Sequence, residues 1–123
     1  MTKRLLDVGN CDPDHSSICD VVASHFDVTV TRAHGPEDAL ASLRSQSYDL
    51  VTINRLMDRD GGEGLEIIKT IKSDPALADV PVMMITNFED HQALAVDLGA
   101  ELGFGKSKIG VPETIEKLRT FLA

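Results

Sequence analysis

Apolar residues fall along this chain in two alternating rhythms. Short runs are apolar throughout or at every second position, as in strands; longer stretches place an apolar residue at every third or fourth position, as on one face of a helix. Runs at 4–9 (RLLDVG), 27–32 (DVTVTR), 47–54 (SYDLVTIN), 81–86 (PVMMIT) and 101–105 (ELGFG) predict five strands. Between them, Ile18, Val21 and Val22 mark a helix over 13–25. Ala39, Leu40 and Leu43 mark a second from Pro36-Glu37, and Leu65, Ile68 and Ile71 a third after a polar loop at 55–64 (RLMDRDGGEG). A fourth helix is predicted over 89–98, and a fifth from Pro112 with Ile115, Leu118 and Leu122 inward.

The punctuation agrees with the periodicity. Asp12-Pro13-Asp14 is a helix start, with Asp12 as cap, Pro13 in the first turn and Asp14 complementing the helix dipole. Asp74-Pro75 stops the third helix, and Gly99 is a natural left-handed end for the fourth. The run 81–86 is nearly all apolar, as expected of a strand covered on both faces. Five strand–helix units in series imply right-handed crossovers, a parallel sheet and helices on both sides. The prediction is one doubly wound α/β domain over 1–123.

Composition narrows the function. Hydrophobic residues make up 42% of 123, enough for a core without disulfide or metal staples. The net charge of −8 and the lack of any Lys/Arg cluster argue against nucleic-acid binding. Cys11 and Cys19 are too few for a secreted disulfide framework. Asp7 interrupts the Lys3-Arg4-Leu5-Leu6 start of any signal peptide, and no run reaches membrane-span length. A cytoplasmic protein, not attached to membrane, is expected.

In such a sheet, ligands bind beyond the carboxyl ends of the strands. That selects Gly9, Asn10, Cys11 and Asp12 after the first strand, Asn54 after the third, Thr86 and Asn87 after the fourth and Lys106 after the fifth. With "YDLVTIN", "LMDRDGGEGLEII", "PVMMIT" and "GAELGFGKS" in this order and spacing, the chain resembles the receiver domain of bacterial response regulators over essentially its whole length. The resemblance implies a flavodoxin-like, CheY-like sheet of strand order 2-1-3-4-5 with five helices, and a non-enzymatic role in two-component phosphorelay signalling. It puts Asn54 at the phosphoacceptor aspartate, Thr86 and Lys106 at the hydroxyl and lysine that contact the phosphoryl group, and Asn10, Cys11 and Asp12 at the acidic pocket.

The match departs from the family where the chemistry should be. Asn54 is an amide, "GNCD" leaves Asp12 about one residue out of register with the acidic pair, Gly103 stands where a switch aromatic is expected, and Ser107 replaces a proline. The loop after Asn54 is also slightly longer than usual. An amide nitrogen shares its lone pair with its carbonyl and carries no charge, so Asn54 is a very poor nucleophile. Phosphoryl transfer also needs a metal, and magnesium wants carboxylates and waters. Two like charges at close range repel by roughly 4 kcal/mol at an effective dielectric near 20, a repulsion that a metal relieves. A pocket holding Asp12 against Lys106, with Arg55 nearby, has little to draw a dication in. Loss or weakening of Mg2+ binding, with no other metal or cofactor, is therefore expected. Loss of the neighbouring acids together with Asn54 argues for divergence of the whole site rather than an isolated substitution.

Other residues leave alternatives open. Asn54 is a locked pseudo-acceptor or a structural amide holding the loop. Lys106 binds an anion with Thr86 or, as favoured, pairs with Asp12. Cys11 and His15 have the C-x3-H spacing of half a zinc site but lack a second pair, so an exposed cysteine and a first-turn histidine are favoured. Cys19 fits core packing. Asp7 lies either at a frayed sheet position or turned to the pocket as a displaced acid. The leading expectation is a phosphorylation-independent interaction module, a monomer or weak dimer. By resemblance, it meets a histidine kinase or downstream effector through the fourth helix, fifth strand and fifth helix. The alternatives are phosphorylation on Asp58, Asp60 or Asp12, and a small-ligand domain on a flavodoxin-like scaffold, to which "GGEG" at 61–64 is a weak pointer.

Overall fold

The computed structural model describes residues 1–123. Strands β1 (Lys3–Val8), β2 (Val28–Ala33), β3 (Leu50–Asn54), β4 (Val82–Ile85) and β5 (Glu101–Phe104) form one parallel sheet in the order β2-β1-β3-β4-β5. Helices α1 (Asp12–His25), α2 (Pro36–Ser45), α3 (Gly64–Ser73), α4 (Glu89–Asp97) and α5 (Pro112–Leu122) connect and follow them. This is the doubly wound α/β fold that the alternation predicts. None of its helices is long and apolar enough to cross a membrane.

Alternation within each strand builds two cores, because successive side chains point to opposite faces. Leu6, Val8, Val51, Ile53, Val82 and Met84 pack with residues of α2, α3 and α4. Leu5, Leu50, Met83, Ile85 and Phe104 pack on the other face with Ile18 and Val22 of α1 and Leu118 and Leu122 of α5. Asp7 and Thr52 have the parity of Leu5 and Leu50 and are register partners across β1 and β3. Two polar side chains therefore face α1 from within a buried layer.

Local differences from the sequence reading have local causes. Strand β3 begins at Leu50 rather than at 47, and just before it the Asp49 carboxylate accepts from the Arg4 amide of β1 at 2.8 Å. Cys11, not Asp12, occupies the cap position of α1, and Asp12 is the first helical residue. In α3 the buried residues include Ile67 as well as Ile68 and Ile71, and in α5 Thr114 is buried while Ile115 is half-buried. Gly99 ends α4 at φ +109°, as expected of a left-handed terminus. A short 3-10 turn, Lys106–Lys108, follows β5 and is not marked by any periodicity in the sequence.

Candidate functional site

The cleft at the carboxyl end of β3 and β4 measures about 390 Å³ and is lined by Asn54, Arg55, Leu56, Thr86, Asn87, Phe88 and Lys106. Four of the residues singled out at the strand ends, Asn54, Thr86, Asn87 and Lys106, are thus brought together. The cleft wall carries two cations and no carboxylate. Arg55 lies over the face of Phe88, 4.7 Å from the ring centre, closing one side with a cation–π contact.

Asn54 closes β3 and is 7% exposed. Its Nδ2 donates to the carbonyl oxygens of Leu56 at 2.7 Å and Gly9 at 3.2 Å. Only an NH2 group can face two carbonyl oxygens, so these partners fix which way round the amide stands. Its Oδ1 is buried without a protein partner. The amide ties the loop after β3 to the loop after β1.

Gly9, Asn10, Cys11 and Asp12, selected after the first strand, are not among the residues lining it. Asn10 is buried and donates from Nδ2 to Asp7 Oδ1 at 2.7 Å. Cys11 is exposed. Asp12 is paired with Arg32 at 2.7 Å, and that hydrogen bond and charge hold its carboxyl below the usual range. The same hydrogen bond raises the pKa of Arg32.

Lys106 does not pair with Asp12, as the sequence suggested, but with Asp14 at 2.9 Å. The correction follows from helix geometry: residues two apart lie about 200° apart around the axis. With Asp12 turned to Arg32 on β2, Asp14 is turned to the end of β5. Burial pushes the Asp14 carboxyl up, but hydrogen bonds from Lys106 and Cys11 and the Lys106 charge outweigh it, and the net shift is downward.

The structure contains no group of three or more His, Cys, Asp or Glu side chains arranged to hold a metal ion, and the carboxylates nearest the cleft each hold another partner. Half a zinc site at Cys11 and His15 is not assembled either, since both ring nitrogens of His15 are engaged, by Asp7 and Cys19. In the loop after β3, Asp58 pairs with His34 at 2.9 Å and lies 3.7 Å from Arg32. Asp60 accepts from the Gly62 amide at 2.9 Å, as a turn residue does.

Asp7 is neither frayed nor in the cleft. It is fully buried and accepts hydrogen bonds from Thr52 at 2.8 Å and Asn10 at 2.7 Å, with His15 Nδ1 at 2.5 Å. An aspartate inside an apolar strand was the signal for such an arrangement, but its partners come from three other segments. Gln92 on α4 was not foreseen at all. Its amide donates to the carbonyls of Met84 at 2.9 Å and Thr86 at 3.2 Å and accepts from the Gly103 amide at 3.0 Å, pinning α4 to β4 and β5.

Gly103 itself is held by close approach. The pairing of β4 and β5 shifts register between Met83 and Ile85, and a Cβ at 103 would lie 2.0 Å from the Met84 carbonyl oxygen. No side chain, least of all an aromatic, fits in this backbone arrangement. The hydroxyl of Thr86 meanwhile accepts from the Phe88 amide at 3.2 Å, within the turn that leads into α4.

Solved structures with this architecture include the signal receiver domain of a DNA-binding response regulator from Colwellia psychrerythraea 34H, 24% identical over 96% of both chains, TM-score 0.83. The chemotaxis response regulator CheY4 of Vibrio cholerae is 18% identical over 99% of this chain and 100% of its own, TM-score 0.77. The phosphorylated cyanobacterial phytochrome response regulator RcpA is 20% identical over 99% of this chain and 94% of its own, TM-score 0.75. At these identities the likeness concerns the fold. The family model of the response regulator receiver domain matches residues 12–107, and with the cleft at the expected strand ends, the chain belongs to the response regulator receiver domains, the signalling modules of two-component systems.

Proposed function

We propose that this receiver works in two-component signalling without being phosphorylated at its sheet-end cleft, passing information through its surface to a protein partner. The observation that carries this reading is the Asn54 amide, held between the carbonyl oxygens of Leu56 and Gly9. It supplies no nucleophile where the family has its phosphoacceptor. Magnesium binding is lost or weak, because the cleft wall offers Arg55 and Lys106 but no carboxylate. No other cofactor is needed for such a role, and no catalytic residue is assigned.

The expected partner is a histidine kinase or a downstream effector, met on the face of α4, β5 and α5. Leu94 and Leu102, 48% and 54% exposed on α4 and β5, support that choice. Large apolar side chains open to water are the kind that a partner covers. The domain spans 1–123 and acts in the cytoplasm as a monomer or weak dimer, binding neither nucleic acid nor membrane; the net charge of −8 supports the former exclusion.

Incubation with acetyl phosphate and magnesium, followed by intact mass, tests the proposal. An unchanged mass is expected. A gain of one phosphoryl group would overturn it and would direct attention to Asp58, Asp60 or Asp12. Their present engagements, with His34, the Gly62 amide and Arg32, argue against that second reading.

A further inference from the structure

Asp7, His15 and Cys19 stand in line on the α1 side of the sheet, apart from the cleft. Asp7 Oδ1 takes hydrogen bonds from Asn10 and Thr52, and Oδ2 lies 2.5 Å from His15 Nδ1. A carboxylate can only accept, so in neutral His15 the Nδ1 carries the proton and Nε2 is left with a free lone pair. One helical turn further on, Cys19 Sγ lies 3.5 Å from that Nε2. Acid, imidazole and thiol are thus ordered as in a nucleophile activated by an oriented base.

We propose that this relay makes Cys19 an oxidisable nucleophile whose co-reactant is a hydroperoxide, with His15 as its proton acceptor and Asp7 as the positioning residue. Cys19 is partly exposed, and His15 keeps 18% of its side chain open, so a small peroxide has access. In the step, the thiol proton passes to His15 Nε2 and sulfur attacks one peroxide oxygen. The O–O bond breaks, and the leaving alkoxide or hydroxide takes the proton from His15. Sulfur is oxidised by two electrons to a sulfenic acid, and the peroxide is reduced to an alcohol or water.

Charges around the thiol make the base necessary. Burial first, then the negative charges of Asp7 on β1 and Asp20 on α1, push the Cys19 thiol up, while Arg32 on β2 acts in the other direction. The resting form is therefore the thiol, which does not attack until its proton is removed. Arg32 also holds a buried Nε donor without a protein partner.

The test uses the full chain with Cys11→Ser, leaving one thiol, exposed to hydrogen peroxide with excess dimedone and followed by intact mass. Adding His15→Gln is expected to slow sulfenic acid capture at neutral pH on the order of 10²-fold. The pH profile of the rate is expected to differ between parent and variant, because only the parent holds a base against the thiol. Equal rates and superimposable pH profiles would overturn the proposal. Should His15→Gln not fold, the parent alone decides. Faster oxidation of the folded chain than of the same chain in urea at neutral pH supports the relay, and slower oxidation contradicts it.

Discussion

The side-chain nitrogen of Asn54 sits 2.7 Å from the carbonyl oxygen of Leu56, two residues further along the chain, and reaches back to Gly9 with its second proton. A carboxylate at this position would face two carbonyl oxygens with no proton to offer. Asn54→Asp, the substitution that nominally restores the acceptor, is therefore expected to destabilise the fold by about 1–3 kcal/mol at neutral pH. The loss is expected to shrink as the pH falls from neutral towards about 4, where the protonated Asp regains a donor. Urea titrations at the two pH values measure it. Asn54→Asp alone should also gain no phosphoryl mass from acetyl phosphate, because Asn10 and Cys11 supply no acid beside it.

At Gly103 the obstruction is the backbone. A Cβ there would stand 2.0 Å from the Met84 carbonyl oxygen, so β5 must move before any side chain fits. Gly103→Ala is expected to cost about 1–3 kcal/mol, read as a lowered thermal midpoint. Gly103→Tyr should be worse and should not create a conformational switch.

Gln92 provides the corresponding test on α4. Gln92→Glu keeps an oxygen for the Gly103 amide but turns the other against the Met84 and Thr86 carbonyls. About 1–3 kcal/mol of destabilisation is expected. Hydrogen exchange should show the opening concentrated in α4 and β5, whereas uniform loss of protection would contradict the role of a local pin.

The Asp14–Lys106 pair predicts a pH dependence. The folded carboxyl titrates below its ordinary value of 3.8, so its contribution is present above that value and is lost as the pH falls through the folded one. Both side chains are partly exposed, which limits the pair to about 0.2–1 kcal/mol. Asp14→Asn should cost that much at pH 7, and the difference from the parent should close in acid.

Much of this was legible in the sequence, and the exceptions have a common cause. Alternating periodicities, the prolines at 13, 36, 75 and 112, and Gly99 located the elements because each acts on the chain locally. The same strand ends that the pattern picked out brought Asn54, Thr86 and Lys106 to one cleft. Pairings were not legible, because they depend on the azimuth of each side chain around its helix. Asp12 and Asp14 are two residues apart and meet cations on opposite edges, Arg32 on β2 and Lys106 after β5. The burial of Asp7 depends on Thr52, which lies 45 positions away, as its register partner. Gln92 looked like any polar residue on a helix, since its acceptors exist only once β4 and β5 have paired.

Amide chemical shifts, recorded with and without magnesium and beryllofluoride, report whether the cleft takes up a cation and a phosphoryl analogue. Superimposable spectra are expected, because the Asn54 amide already occupies the carbonyl oxygens and the cleft wall lacks an acid. Shifts at residues 54, 86 and 106 that spread into α4, β5 and α5 would contradict it.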